Sequence, residues 1–186
     1  MQAIAELPPH RADLRYSVGG RAIAAELRRC GVDAATTVPD FVQLSLDACL
    51  REPGSGIALT TCANENQAVC AAAGLYFGGR HPVVIMQNQG LHNCINSLRT
   101  IGLDGRVPLL LLVGQFGREF ANLGQDPRRS ERRMVRLLEP VLDAMEIPGF
   151  RLEGPADVGN IARAWETAWQ DLRATVLIVG HYTLWD

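Results

Sequence analysis

The stretch CANENQAVCAAAG, Cys62 to Gly74, sets one carboxylic acid, Glu65, at the head of a segment otherwise made of small, amide and apolar side chains. Asn64 is of a type that caps helices, and Gln67, three residues on, makes an amide version of the capping box. In that plain role Glu65 complements the helix dipole, for about 0.3–1 kcal/mol. The segment also follows a strand-like run. A carboxyl group at such a junction, among residues that admit close approach, can share a proton with a ligand nitrogen. A second stretch, MQNQGLHNCINSL, brings Gln87, Asn88 and Gln89 out of an apolar run before Gly90, His92 and Asn93. Turn and cap chemistry accounts for Gly90 and Asn93. It accounts poorly for three successive amides, which are costly to bury without partners and so point to a polar pocket wall. His92 is either an exposed first-turn histidine or a proton donor or anion contact near pH 7.

These residues need elements to hold them. SVGGRAIAAELRRCG has Ile23, Leu27 and Cys30 at helical spacing with Gly31 as its stop, and DAATTV reads as a strand ended by Pro39. DFVQLSLDACL predicts a helix capped by Asp40, SGIALTT a strand, residues 65–77 a helix ended by Gly78-Gly79, and HPVVIMQ a strand with proline first. LHNCINSLRTIG predicts one helix, VPLLLLVG a strand, SERRMVRLLEPVLDAM a helix, GFRLE a short strand, ADVGNIARAWETAWQDL a helix and ATVLIVG a last strand. About six apolar strands with helical crossovers imply an α/β, doubly wound parallel sheet with helices on both faces. In such sheets ligands gather at the carboxyl ends of the strands. The connection from Gln115 to Arg129 is the only one too long for a simple turn and reads as a lid, a partner-binding loop or a mobile segment.

Composition narrows the function. At 186 residues the chain fits one domain, with residues 1–14 as an N-terminal extension to a domain spanning 15–186. Lys+Arg number 18 and Asp+Glu 20, so no overall basic field exists to attract nucleic acid or an anionic membrane. Apolar runs are strand-sized, and the first fifteen residues lack the apolar core of a signal peptide, which makes a cytoplasmic location the expectation. Cys30, Cys49, Cys62, Cys70 and Cys94 form no metal-ligand spacing and read as reduced packing residues, with Cys94, beside His92, as a candidate nucleophile.

VPDF, ANEN…AAAG, MQNQGLHN…NSL and LLLLVGQFG, in this order and roughly evenly spaced, resemble the pyrimidine-binding domain of thiamine diphosphate enzymes, over about residues 15 to 180. The likeness is to the alpha subunit of sulfopyruvate decarboxylases and the N-terminal half of phosphonopyruvate decarboxylases. It implies that Glu65 hydrogen-bonds a ring nitrogen of the cofactor's aminopyrimidine and so activates thiamine diphosphate, the electron sink when a 2-oxo acid loses CO2. By the same resemblance Pro39 and Asp40 border the cofactor, and Gln87, Asn88, Gly90 and Asn93 line the cleft near its reactive end.

Two departures qualify the likeness. GLHN stands where the family pattern is similar to GLGN, which puts the His92 imidazole at a glycine position. The GDG…N motif with which the family holds diphosphate and Mg2+ has no counterpart here, LDGRV being the nearest string. The resemblance therefore implies a second, beta subunit that carries the diphosphate domain and most of the Mg2+ contacts, and a hetero-oligomer. The tail HYTLWD, with Tyr182 and Trp185, suits a docking end. Arg118 and Gln115, close to a strand end, are expected to meet a small anionic 2-oxo acid, with Arg128 and Arg129 as further cations. Arg132, Arg133 and Arg136 are read as a solvated helix face or a partner surface. Two alternatives stay open: a carboligase or lyase that uses the same cofactor, and a non-catalytic α/β binding domain.

Overall fold

The computed structural model describes residues 13–186, so most of the expected N-terminal extension lies outside the described residues. Six parallel strands, β1 (Ala34–Thr37), β2 (Ala58–Thr61), β3 (Pro82–Gln87), β4 (Leu109–Gly114), β5 (Gly149–Leu152) and β6 (Ala174–Val179), form one sheet in the order β2-β1-β3-β4-β6-β5. β1 pairs in register with both β2 and β3, Thr37 lying beside Thr61 and Ile85. β3, β4 and β6 are buried along nearly their whole length, which is why their sequences are unbroken apolar runs rather than alternating ones.

The helices divide between the two faces. One face carries α1 (Gly20–Arg29), α2 (Leu44–Arg51) and α8 (Gly159–Asp171), whose Ile23, Leu27, Leu46, Leu50, Ile161 and Trp165 meet Ile85, Leu110, Leu112 and Leu177. The other carries α3 (Glu65–Phe77), the short α4 (Asn88–Asn93) and α5 (Ile95–Ser97), and α7 (Leu138–Ala144); here Val69, Leu91, Leu98 and Leu138 meet Val84, Met86, Leu111 and Val176. A four-residue helix, α6 (Arg133–Arg136), precedes α7. Two buried threonines in the sheet stay satisfied because helix carbonyls reach them: Thr36 donates to Ala68 at 2.9 Å and Thr175 to Ala164 at 2.9 Å. The chain leaves β1 toward β2 over one face and leaves β3 toward β4 over the other. The carboxyl ends of β1 and β3 therefore flank a switch point of the winding.

Most predicted elements stand where the pattern put them. LHNCINSLRTIG does not form one helix: α4 starts earlier, at Asn88, and places Gly90 inside it. The helix then breaks at Cys94 (φ −108°, ψ 17°), and residues Leu98–Asp104 wind as a π-helix. Gly102 in that wider turn lies directly against Ala174 of β6. Asp40 caps a 3-10 turn, Phe41–Gln43, ahead of α2 rather than α2 itself.

The loop after β4 is pinned rather than mobile. Arg118, its side chain 2% exposed, donates through all five N–H groups: Nη1 to Glu153 at 2.6 Å and Gln115 at 3.0 Å, Nε to Asn122 Oδ1, and Nη2 to the carbonyls of Asn122 and Gln125. Downstream, Glu119 accepts from Ser130 Oγ and Glu131 N. The tail is likewise docked on its own chain, Leu184 bridging to Gly19 and Thr183 bonding Val42 and Ser45, which leaves Trp185 exposed and Tyr182 half-buried against Phe41.

Candidate active site at the carboxyl edge of the sheet

Asn64 is extended (φ −157°, ψ 168°), and its side chain accepts from Gln67 N while the Gln67 side chain accepts from Ala63 N at 2.7 Å. The first bond is the expected cap; the second reaches the residue before the cap and not Asn64 N, so this is a variant of the predicted capping box, and it starts α3 at Glu65. Because the cap is made by the amides, the Glu65 carboxyl is not needed for it. The buried positions of α3, namely Ala68, Val69, Ala72 and Ala73, are small enough to bring the helix close to β1 and β3.

Glu65 is half-buried and turns toward α4. Asn93 donates from Nδ2 to Glu65 Oε2 at 3.0 Å. On the other side stands Gly90, where a Cβ would fall 2.7 Å from both Glu65 Cδ and Oε1. Only glycine leaves room for the carboxyl group there. Glu65 Oε1 accepts no hydrogen bond among the described residues. Beside this group Asn66 donates to the Asn93 carbonyl at 3.2 Å and receives the Ser97 hydroxyl at 2.6 Å, which ties α3 to α4 and α5. Asn66 and Ser97 were not singled out from sequence: the bonds span 27 and 31 residues, and no local pattern announces them.

The other predicted residues behave in three ways. Asp40 is wholly buried, and its carboxyl receives Val42 N at 2.8 Å, Gln43 Nε2 at 2.7 Å and Gly114 N. Burial pushes it up to about 6 despite these three donors. A cofactor contact from this carboxyl is therefore corrected to an internal clasp between the ends of β1 and β4. Gly114 is required there because a Cβ would collide with the Asp40 carboxyl. Pro39, next to it, is exposed and free to border a ligand.

Asn88 is also buried, donating to the Phe116 carbonyl at 3.1 Å and capping Gln89 N, so it closes the ends of β3 and β4 together. Gln87 is half-buried at the strand end. The Nε2 of His92 is buried without a partner, and burial lowers the imidazole below its usual value, which favours its neutral form.

Arg118 does not join the Glu65 group. With every donor occupied and Gln115 Oε1 among the acceptors, neither residue presents a free cation or carbonyl to a substrate, although Gln115 Nε2 is buried without a partner. Arg128 is bound to Glu139 and Asp143. Cys94 is no nucleophile: burial, with a contribution from the nearby Glu65 charge, pushes its thiol up to about 12. All five cysteines are free thiols, and Cys70 is exposed on α3 instead of packed. Among the described residues no group of three or more His, Cys, Asp or Glu is arranged to hold a metal ion, and no helix is long and apolar enough to cross a membrane.

A carboxylate oxygen that is positioned but unpartnered, at the switch point of a parallel sheet, suits a ligand that offers a ring N–H. Residues 18–146 match the family model described as "Thiamine pyrophosphate enzyme, N-terminal TPP binding domain". The alpha subunit of sulfopyruvate decarboxylase from Methanocaldococcus jannaschii is 27% identical over 146 residues, 78% of this chain and 82% of that protein. Its counterpart from Methanothermobacter thermautotrophicus is 26% identical over 136 residues, 73% and 79% of the two chains. The phosphonopyruvate decarboxylase of Streptomyces viridochromogenes is 25% identical over 131 residues, which span 70% of this chain and 32% of that longer protein.

Proposed function

This chain belongs to the thiamine pyrophosphate enzymes that carry the N-terminal TPP binding domain, and from that membership we propose that it is the pyrimidine-side subunit of a 2-oxo acid decarboxylase. The observation that carries the reading is the Glu65 carboxylate, held by Asn93 on one oxygen, walled by Gly90 and open at Oε1. Thiamine diphosphate supplies an electron sink for the pair released when a 2-oxo acid loses CO2. The residues fit that group. Glu65 Oε1 would share a proton with a ring nitrogen of the aminopyrimidine, as a carboxylate accepting from the protonated ring. Pro39 and Gln87 would border the ring, and Gly90 gives the Glu65 carboxyl its room. His92, with Nε2 unpartnered, would hold or accept a proton on the same side of the cleft.

A second, beta chain supplies the diphosphate contacts and the Mg2+ in this reading, and the working enzyme is a cytoplasmic hetero-oligomer. Support for the partner comes from relatives named as alpha subunits, which this chain matches over about three quarters or more of their length. The substrate class, a 2-oxo acid with a second anionic group such as a sulfonate or phosphonate, rests on the names of the same relatives. The test is reconstitution with a companion chain bearing a Gly-Asp-Gly…Asn motif, thiamine diphosphate and Mg2+, with CO2 release from sulfopyruvate and phosphonopyruvate as the readout. Glu65→Gln is expected to assemble normally and lose nearly all turnover. Turnover at the unsubstituted rate would remove Glu65 from the chemistry.

A further inference from the structure

The break between α4 and α5 places Asn93 at the end of a helix, with its side chain facing back across to the first residue of α3. Its Nδ2 lies 3.0 Å from Glu65 Oε2, and its carbonyl is held from the opposite side by Asn66 Nδ2 at 3.2 Å. Asn66 is fixed in turn by the Ser97 hydroxyl at 2.6 Å. Glu65 therefore meets a wall at Gly90 and a donor at Asn93, and the donor is buttressed by two further side chains.

We propose that Asn93 is a positioning residue: it binds the Glu65 carboxylate at Oε2 so that Oε1 is the oxygen presented to the ligand. The inference rests on the reading of Glu65 as the cofactor-activating acid, and it revises the expected role of Asn93 as a wall of the cofactor cleft. Asparagine suits the position chemically. Its two-atom arm ends in a neutral N–H donor. Aspartate would set a like charge within about 3 Å, which favours protonation or displacement of one carboxyl, and alanine would leave Glu65 free to change rotamer. A glutamate with one oxygen tethered has a single orientation to offer, whereas an untethered one must be ordered at each turnover.

Two measurements test the inference. In the full chain labelled with 15N, the Asn93 side-chain amide resonances are expected to move when Glu65 is changed to Gln, because a charged acceptor at Nδ2–H becomes a neutral one. Resonances that stay in place overturn the proposal without any assay of the enzyme. In the reconstituted enzyme, Asn93→Ala is expected to lower kcat by about 10²-fold, the typical effect of misplacing a reacting group by about 1 Å, with KM and cofactor affinity changed less than about threefold. The same substitution made in the Glu65→Gln background is expected to add nothing, since a residue that acts through Glu65 has no target left. An equal loss in both backgrounds would mean that Asn93 acts on its own and would overturn the positioning role. Failure of the function proposal looks different: Glu65→Gln would then leave turnover intact while the amide resonances still moved. Asn93→Asp serves as the second variant; it is expected to lose turnover as Asn93→Ala does while retaining the thermal stability of the parent, because Asn93 is exposed.

Discussion

Gly90→Ala separates the stability of this fold from the function of its site. The new Cβ would strike Glu65 Cγ most closely and lie 2.7 Å from Cδ and Oε1, whereas ordinary contact begins at 3.4 Å, so the side chain as a whole must retreat by about 1 Å. The backbone has little reason to object. Gly90 is inside α4 with ordinary helical geometry, and alanine is favoured over glycine in a helix by about 0.8–1 kcal/mol. The atoms it strikes, Cγ, Cδ and Oε1, belong to one flexible side chain on a half-buried residue that can turn away as a unit, so the overpacking cost stays near the low end of the usual ~1–3 kcal/mol. These two effects nearly cancel, and the melting temperature is expected to change by no more than about 4 °C for a chain of this size. The catalytic effect does not cancel. A shift approaching 1 Å in the acid, away from the position that Asn93 fixes, is expected to cost about 10²-fold in turnover, or about 2.7 kcal/mol of transition-state stabilisation. Differential scanning calorimetry of the chain and CO2 release by the reconstituted enzyme read the two quantities separately. A Gly90→Ala protein that melts normally and turns over within about twofold of the parent would refute the steric account of the site.

Three further outcomes follow from groups outside the Glu65 cluster. Asp40 is raised in the folded state from 3.8 to about 6. Its contribution to stability is therefore fully present below pH 3.8 and lost as pH rises through 6, at a cost of about 3 kcal/mol. Urea unfolding between about pH 4.5 and 7.5 should show that decline, and Asp40→Asn should flatten it; an unchanged slope would contradict the assignment. Arg118→Met is expected to destabilise the chain by about 3 kcal/mol and to open the 115–126 loop to limited proteolysis, with Arg118→Lys failing to rescue it because an ammonium cannot reproduce a five-donor fork. Iodoacetamide at about pH 8 should label the exposed Cys70 and leave Cys94 unmodified until the protein is unfolded, as peptide mass spectrometry will report.

The elements were legible in the sequence wherever a local device defines them. Asn64 and Gln67 start α3, Gly78 ends it, and the proline of HPVVIMQ sits at the first position of β3, as its missing donor requires. The candidate acid was legible for the same reason: its position follows from a cap and a strand, both short-range features. What stayed hidden depends on partners distant along the chain. Nothing near Arg118 in sequence announces Glu153, 35 residues on, so a loop whose cation is fully occupied looked open and substrate-facing. LHNCINSLRTIG has helical spacing throughout, yet its turns adjust to two tertiary demands, the approach of Glu65 at Gly90 and of Ala174 at Gly102. The break that results is what aims Asn93 at Glu65.

The polar residues at the carboxyl edge of the sheet fall into two groups, and the division says where chemistry can enter. Asp40 joins the ends of β1 and β4, Asn88 joins β3 to the loop after β4, and Arg118 gathers that loop onto the segment after β5; each finds its partners inside the chain. Groups of this kind rigidify an edge that would otherwise be a set of independent loops, and substituting them should act through stability. Glu65 Oε1 and His92 Nε2 lack a partner among the described residues. A polar group left unpaired costs about 1–3 kcal/mol once it is removed from water, and His92 Nε2 already is. These two open groups belong to α3 and α4, the helices that leave β2 and β3; at the ends of β1 and β4, Thr37 Oγ1 and Gln115 Nε2 are also buried without a partner. A ligand that completes both Glu65 and His92 must therefore seat against α3 and α4, on the face of the sheet opposite α1, α2 and α8. The frame residues can then be substituted without direct effect on the ligand's contacts, provided the fold survives.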